Sequence, residues 1–291
     1  MRGIIRTIAL ASFVALTSVG IGKYCRGEEI RFTHTPTAWE NVSEGIDFSR
    51  IYAYDKDQKV DSIAVLKIDD KKNKFLVKHS YEPLTVDNWQ KTLNAPVVFN
   101  ASFFETDMNP TTEIISEGKV AGYNGEKALD IQKEYLKIKG FFLAEPSKKG
   151  KSLTDIVDLS KETVNVQDWK EGVTSYPMLV YKDGSIKVKQ REGWRANRTA
   201  IAKDKEGKLL LFSTEGGYFT LNEFANFLKE SKFNIYEALN LDGGLAAGLY
   251  VKTPKKEYSN YGWMEKNTLW GDVSHRATRT KLPCVIAVYK R

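Results

Sequence analysis

Two cysteines and three histidines in 291 residues leave little material for thiol or imidazole chemistry. Cys25 and Cys284 are far apart, and Cys284 lies in the apolar run LPCVIAVY, where a small thiol packs as a hydrophobe. Two such residues give no disulfide framework and no cysteine-based metal site. His34, His79 and His275 are scattered, with no second ligand at metal-site spacing. Also missing are a G-x-S-x-G elbow, an H-E-x-x-H pair, a P-loop and a strand followed by G-x-G-x-x-G. The net charge is +7, yet no dense basic block interleaved with aromatics occurs, so nucleic acid is not an expected partner.

Long apolar runs are scarce as well. The uncharged run from Thr7 to Gly22 follows Arg2 and Arg6 and carries small residues at Ser18, Gly20 and Gly22. That is the pattern of an export signal, and the run is shorter than the ~20 residues a spanning helix needs. Residues 1–26 are therefore read as an export signal, or as an N-terminal anchor if left uncleaved. The protein is expected to be periplasmic or extracellular, with transient membrane contact through the signal only. Residues 27–44 form a polar lead. Residues 45–291 lack a Pro-, Gly- or Ser-rich linker and are taken as one domain; 42% hydrophobic residues are enough for one large core.

Strand patterns outnumber helical ones. SIAVLKID (Ser62–Asp69) and KFLVKH (Lys74–His79) read as a hairpin across a Lys/Asn turn. YPMLVYKDGSIKVK (Tyr176–Lys189) reads as a second, turning at Asp183-Gly184, and Arg198–Thr214 as a third. Helices are expected at Thr85–Leu93 and at Thr220–Lys232, where Thr220 and Glu223 make a capping box before an apolar face. These signals predict an α+β fold, a mixed, largely antiparallel sheet with packed helices.

What chemistry there is sits at strand ends. In NASFFETD, Asn100 ends the apolar PVVFN, Phe103 can line a pocket, and Glu105 and Asp107 follow on a loop. In GWRANRTAIA, Arg195 and Arg198 flank the entry to a strand; guanidinium is shaped for bidentate binding of phosphate or carboxylate. In YEALNLDGGLAAGLYV, Asp242 ends an apolar strand, and Gly243 and Gly244 let a ligand approach backbone N–H groups. A carboxylate in partly apolar surroundings has a raised pKa, as a general acid needs.

NASFF, RTAIA, TLNEFANFLKE and ALNLDGG, in this order, resemble the phosphodiester glycosidase domain. EGIDFSR, IAVLKID, LTVDNWQKTLNAPVVFNASFF and YPMLVYKDG are similar to its exported bacterial branch, so the likeness runs from about Gly45 to Val251. Two departures stand out. Leu245, Ala246 and Ala247 follow Asp-Gly-Gly where the family places a small residue or Pro and then serine, and Ala101-Ser102 stand where a glycine is common.

The resemblance implies an exported hydrolase acting on a sugar linked through phosphate. Asp242 would serve as acid/base or nucleophile, with Glu215 or else Glu105 as the second carboxylate of a paired mechanism. Asn100 would orient the sugar or the attacking water. Arg198, with Arg195 in support and Thr199 beside it, would hold the diester, and Phe103, Gly243 and Gly244 would line the pocket. No cofactor or metal is required, although carboxylates beside phosphate can hold a divalent cation. The alternative is a non-catalytic protein on the same fold that binds a glycan or an anionic polymer.

Overall fold

Period-two alternation shapes most of this chain, and the elements follow from it. The computed structural model describes residues 31–123, 125, 126, 130–190, 195–264, 275, 276 and 279–291, so the expected export signal lies outside the described residues. Among those described there are twenty strands and three α-helices, none of the helices long and apolar enough to cross a membrane.

The strands form three large sheets. The first runs Phe32–His34, Ile46–Asp55, Gln58–Ile68, Leu209–Thr214, Thr199–Asp204, Ile235–Asn240, Met178–Val180, with Glu40–Ser43 also paired to Ile46–Asp55. The second runs Lys256–Tyr261, Gly248–Thr253, Val97–Asn100, Leu282–Lys290, Asn73–Leu84. The third runs Thr154–Asp158, Gly140–Pro146, Trp169–Ser175, Ile114–Ser116, Lys119–Ala121. Every pairing between described strands is antiparallel.

The expected α+β fold with a mixed sheet and packed helices is thereby overturned: the chain is mostly β, built of curled antiparallel sheets. The physical reason is where the apolar faces go. All three sheets turn one face into a shared core that includes Phe48, Leu211 and Leu239 from the first, Phe75, Phe99 and Ile286 from the second, and Ile114 and Phe142 from the third. Among the described residues, no helix side chain enters it. The helices are short covers on outer faces. Val86–Leu93 sets Val86 and Trp89 on Val98, Tyr250 and Val285. Leu221–Glu230 buries Phe224, Phe227 and Leu228 on the other side of the first sheet, each contributing about 1.5–3 kcal/mol. Its predicted capping box is present, with Thr220 Oγ1 accepting from Glu223 N at 3.2 Å and Glu223 Oε2 from Thr220 N at 3.0 Å.

Two predicted hairpins are also corrected. Ser62–Asp69 and Lys74–His79 fall in different sheets, because buried Asn73 donates to Glu44 O (3.1 Å) and Asp69 O (3.2 Å) and the chain crosses over there. Gln58–Ile68 pairs instead with Ile46–Asp55. At Asp183-Gly184 the turn forms, Gly184 having φ +75°, but only Met178–Val180 becomes a strand, and it pairs with Ile235–Asn240. Thr199–Asp204 and Leu209–Thr214 do pair as expected. The stretch read as a polar lead supplies Phe32–His34 and Glu40–Ser43 to the first sheet.

Glu237 lies on one of these central strands with a side chain only 2% exposed; Lys182 Nζ is 3.7 Å away and its Oε2 accepts no hydrogen bond. Burial pushes this carboxyl from 4.5 up to about 7. The folded chain therefore holds the proton more tightly than the unfolded one, and this contribution is complete below pH ~4.5 and lost as pH rises through ~7. Glu237→Gln should melt roughly 5 °C above the parent protein at pH 8.5, with the gap closing at pH 5. Thermal denaturation at the two pH values checks it.

Candidate active site

Strand register decides which side chains meet. Ala200 stands opposite Asn240 and Ile201 opposite Leu239. The pairing extends past the strand ends, where Leu241 N donates to Thr199 O at 2.9 Å, so the next opposed pair is Arg198 and Asp242. Alternation puts their side chains on the face shared by Ala200 and Asn240. Thr199 has the parity of Ile201 and turns to the opposite face, into the core, where its buried Oγ1 has no hydrogen-bond partner.

The residues around Asp242 are locked by backbone bonds. Asp242 N donates to Ala101 O at 3.0 Å, and Asn100 Nδ2 donates to Asp242 O at 2.7 Å. Asn100 Oδ1 accepts from Gly248 N at 3.0 Å. Asn100 is thus spent on holding the turn, not turned toward a ligand. Buried Asn197 does the same from the other side: its carbonyl accepts from Gly244 N at 2.8 Å and its Oδ1 from Trp263 N at 2.6 Å. Both glycines are needed here. A Cβ at Gly243 would lie 2.7 Å from Asn197 O, and Gly244 has φ +58°. Their N–H groups are not an open anion nest, because Gly243 N donates to Asp242 Oδ1 (2.7 Å) and Gly244 N is taken by Asn197.

Burial governs the electrostatics. It pushes the Asp242 carboxyl up to about 7, against the Gly243 N–H bond and the Arg198 charge, which both pull it down. It pulls the Arg198 guanidinium down to about 10, against the attraction of Tyr135, Glu223 and Asp242. Desolvation exceeds the mutual attraction in both groups. Arg198 Nε donates to Phe219 O at 2.9 Å. That carbonyl belongs to a loop pinned by buried Asp61, which accepts from the N–H groups of Gly216 (2.6 Å), Glu215 (3.2 Å) and Tyr218 (3.1 Å).

The remaining expected residues divide. Phe103 stacks on buried Tyr176 with ring centroids 4.4 Å apart, and the Tyr176 hydroxyl is held in its neutral form by burial and by the charges of Asp242 and Glu105. Tyr176, with Phe103 on its ring, thus lies within electrostatic reach of both Asp242 and Glu105. Glu215 does not: Arg50 grips it through Nε (2.8 Å) and Nη2 (2.5 Å), and Tyr258 Oη donates to it at 2.7 Å. Arg195 lies over the Tyr218 ring at 4.2 Å, donates to Tyr218 O and pairs with Glu223 at 3.1 Å.

Sequence reasoning missed Tyr176 and Asn240. Asn240 is buried, donates to Tyr176 O at 2.9 Å, and its Oδ1 has no partner although it shares the face of Asp242. The spacing Asn-x-Asp on a strand was the signal that could have found it; Tyr176 carries no local signal. Among the described residues, no group of three or more His, Cys, Asp or Glu is placed to hold a metal ion.

Comparison with known proteins gives a family described as phosphodiester glycosidase, matched over residues 93–288. No curated protein matches. Among solved structures, the zebrafish N-acetylglucosamine-1-phosphodiester alpha-N-acetylglucosaminidase catalytic domain, auto-inhibited by its pro-peptide, aligns with TM-score 0.60 and 18% identity over 90% of this chain and 89% of that one. A hypothetical protein from Synechocystis aligns with TM-score 0.58 and 14% identity, over 88% of this chain and 64% of that one. The present chain thus spans less than two thirds of the Synechocystis protein. These likenesses show a shared fold.

Asn100→Ala would strand a buried N–H and a buried carbonyl. It should cost on the order of 2–4 kcal/mol in denaturant unfolding, well above the cost of an exposed asparagine.

Proposed function

This chain belongs to the phosphodiester glycosidase family, and on that premise we propose an exported hydrolase that cleaves a glycosyl-1-phosphate linkage in an envelope or extracellular glycan. The export half of this reading rests on the N-terminal pattern of two arginines before an uncharged run. The chemical half rests on one observation: register sets Arg198 opposite Asp242, and both are displaced by burial toward their neutral forms.

The reaction consumes one water. The bond between the anomeric carbon and the phosphate oxygen breaks, the water oxygen joins the carbon, and the phosphate departs as a monoester. Arg198 would lie against the phosphate and stabilise the charge that grows on its oxygens, an effect strengthened by its partial burial. Asp242, with a pKa about 7, can give a proton to the departing oxygen and, as the carboxylate, take one from water. Glu105, which shares Tyr176 with Asp242, replaces Glu215 as the second carboxylate, since Glu215 is committed to Arg50. A phosphate leaving group departs readily, so the demand on that second group is small.

A non-catalytic glycan- or polymer-binding protein on this fold is favoured by Leu245, Ala246 and Ala247, which carry no hydroxyl. Ala246, however, packs in the cluster of Val86 and Trp89, on the apolar side of the turn. A hydroxyl lost there subtracts little from the Arg198–Asp242 pair.

Incubation of the purified protein with a sugar-1-phosphate diester decides between the readings. Release of reducing sugar supports the enzyme, and binding without release supports the second reading. Asp242→Asn should lower kcat by about 10²–10⁴. Undiminished turnover in that variant removes Asp242 from the mechanism. If the protonated form is the working one, kcat/KM should fall as pH rises through about 7.

A further inference from the structure

The loop that carries Phe103 and Glu105 to Asp242 also runs outward to a fixed aromatic ring. Among the described residues, Tyr81 is the most exposed of the large hydrophobic side chains, at 66%, yet it is held in place. Its hydroxyl donates to Asn109 Oδ1 at 3.1 Å, and its ring meets His79 edge-on with centroids 4.8 Å apart. His79 Nε2 in turn is bonded to Met108 O at 2.9 Å, where the backbone takes φ +66°. Such a ring loses little freedom on binding, the condition under which an exposed aromatic contributes to affinity.

Its neighbours are amide, phenol and carboxylate. Asn109 Nδ2 lies 3.4 Å from Tyr123 Oη, and Tyr123 Oη donates to Asp107 Oδ2 at 2.5 Å. The path back to the site is continuous: Glu105 N donates to Asn109 O at 2.9 Å, Thr111 N to Phe103 O at 2.8 Å, and Phe103 stacks on Tyr176. A flat apolar ring flanked by acceptors and amide donors matches the C–H face and hydroxyl edge of a pyranose. A carboxylate at Asp107 opposes phosphate.

We propose that Tyr81, with Asn109 and Tyr123, forms a subsite for a neutral saccharide unit of an extended glycan whose phosphodiester end lies at Arg198. This deepens the hydrolase reading and rests on it for the position of the phosphate, but its test needs no turnover. The full chain would be titrated calorimetrically with four neutral probes, maltose, maltotetraose, cellotetraose and chitotetraose, at one pH and salt. The subsite predicts that at least one tetrasaccharide binds, that Tyr81→Ala weakens it about tenfold, and that Tyr81→Trp restores it. Asn109→Ala should weaken the same probe, and thermal melts of the two Tyr81 variants should match the parent, since the Tyr81 side chain is exposed. Failure of every probe to bind the parent protein, or equal binding by Tyr81→Ala, overturns the subsite. Because hydrolysis is not measured, loss of the enzymatic reading would show in the diester assay alone and leave this result standing or falling separately.

Discussion

The pairing of Thr199–Asp204 with Ile235–Asn240 is the constraint from which the site follows. Two residues beyond Ala200 and Asn240, the same register sets a guanidinium against a carboxyl on a face closed by Phe219 and the Leu221–Glu230 helix. Neither group would choose that place in isolation. Removing an ion from water costs several kcal/mol, and here the attraction between the partners recovers only part of it, as the opposite displacements of Asp242 and Arg198 show. A one-residue slip of register would turn both side chains into the apolar core, so the apolar alternation of ALNL and TAIA keeps the charges where they are.

That strain is carried by polar residues acting as scaffolding. Asn100 ends a strand of the second sheet and Asn197 precedes the strand Thr199–Asp204 of the first, yet both clamp the Asp242–Gly244 turn through backbone groups. Asp61 performs the equivalent task for the loop whose carbonyl seats Arg198. Buried amides and carboxylates that bond to backbone give fixed geometry at modest net energy, since each satisfies donors or acceptors that would otherwise be stranded. The acid and the cation therefore stand on a frame that does not depend on a bound ligand.

Some of this was legible in sequence and some was not, for definite reasons. Asp242 and its glycines were legible because a charge and two Cβ-free residues inside an apolar strand have few structural uses. Arg198 was legible because it directly precedes TAIA. Glu215 misled because its partners, Arg50 and Tyr258, lie 165 and 43 residues away and leave no local trace. Tyr176 was invisible for the same reason: only the folding of the Phe103 loop gives it a role. Local hairpins such as Arg198–Thr214 follow from turn chemistry, whereas the crossing at Asn73 is decided by bonds to Glu44 and Asp69 that a linear pattern does not contain. The helices form where they are expected, but their part in the fold was overread because amphipathic segments announce themselves whether they enter a core or merely cover a sheet.

The segment after Gly244 shows how the site is bounded. Gly244–Ala246 makes a single tight turn, and Gly262 comes so near that a Cβ there would sit 2.0 Å from Gly244 O and 2.8 Å from Leu245 O. Ala246 and Trp89 fill the space behind it. Hydroxyls on this side would face packed apolar atoms and lose their water without gaining partners, which costs free energy. An apolar Leu-Ala-Ala continuation is therefore consistent with a turn sealed by packing, while the buried Oδ1 of Asn240 accepts no hydrogen bond on the face it shares with Asp242.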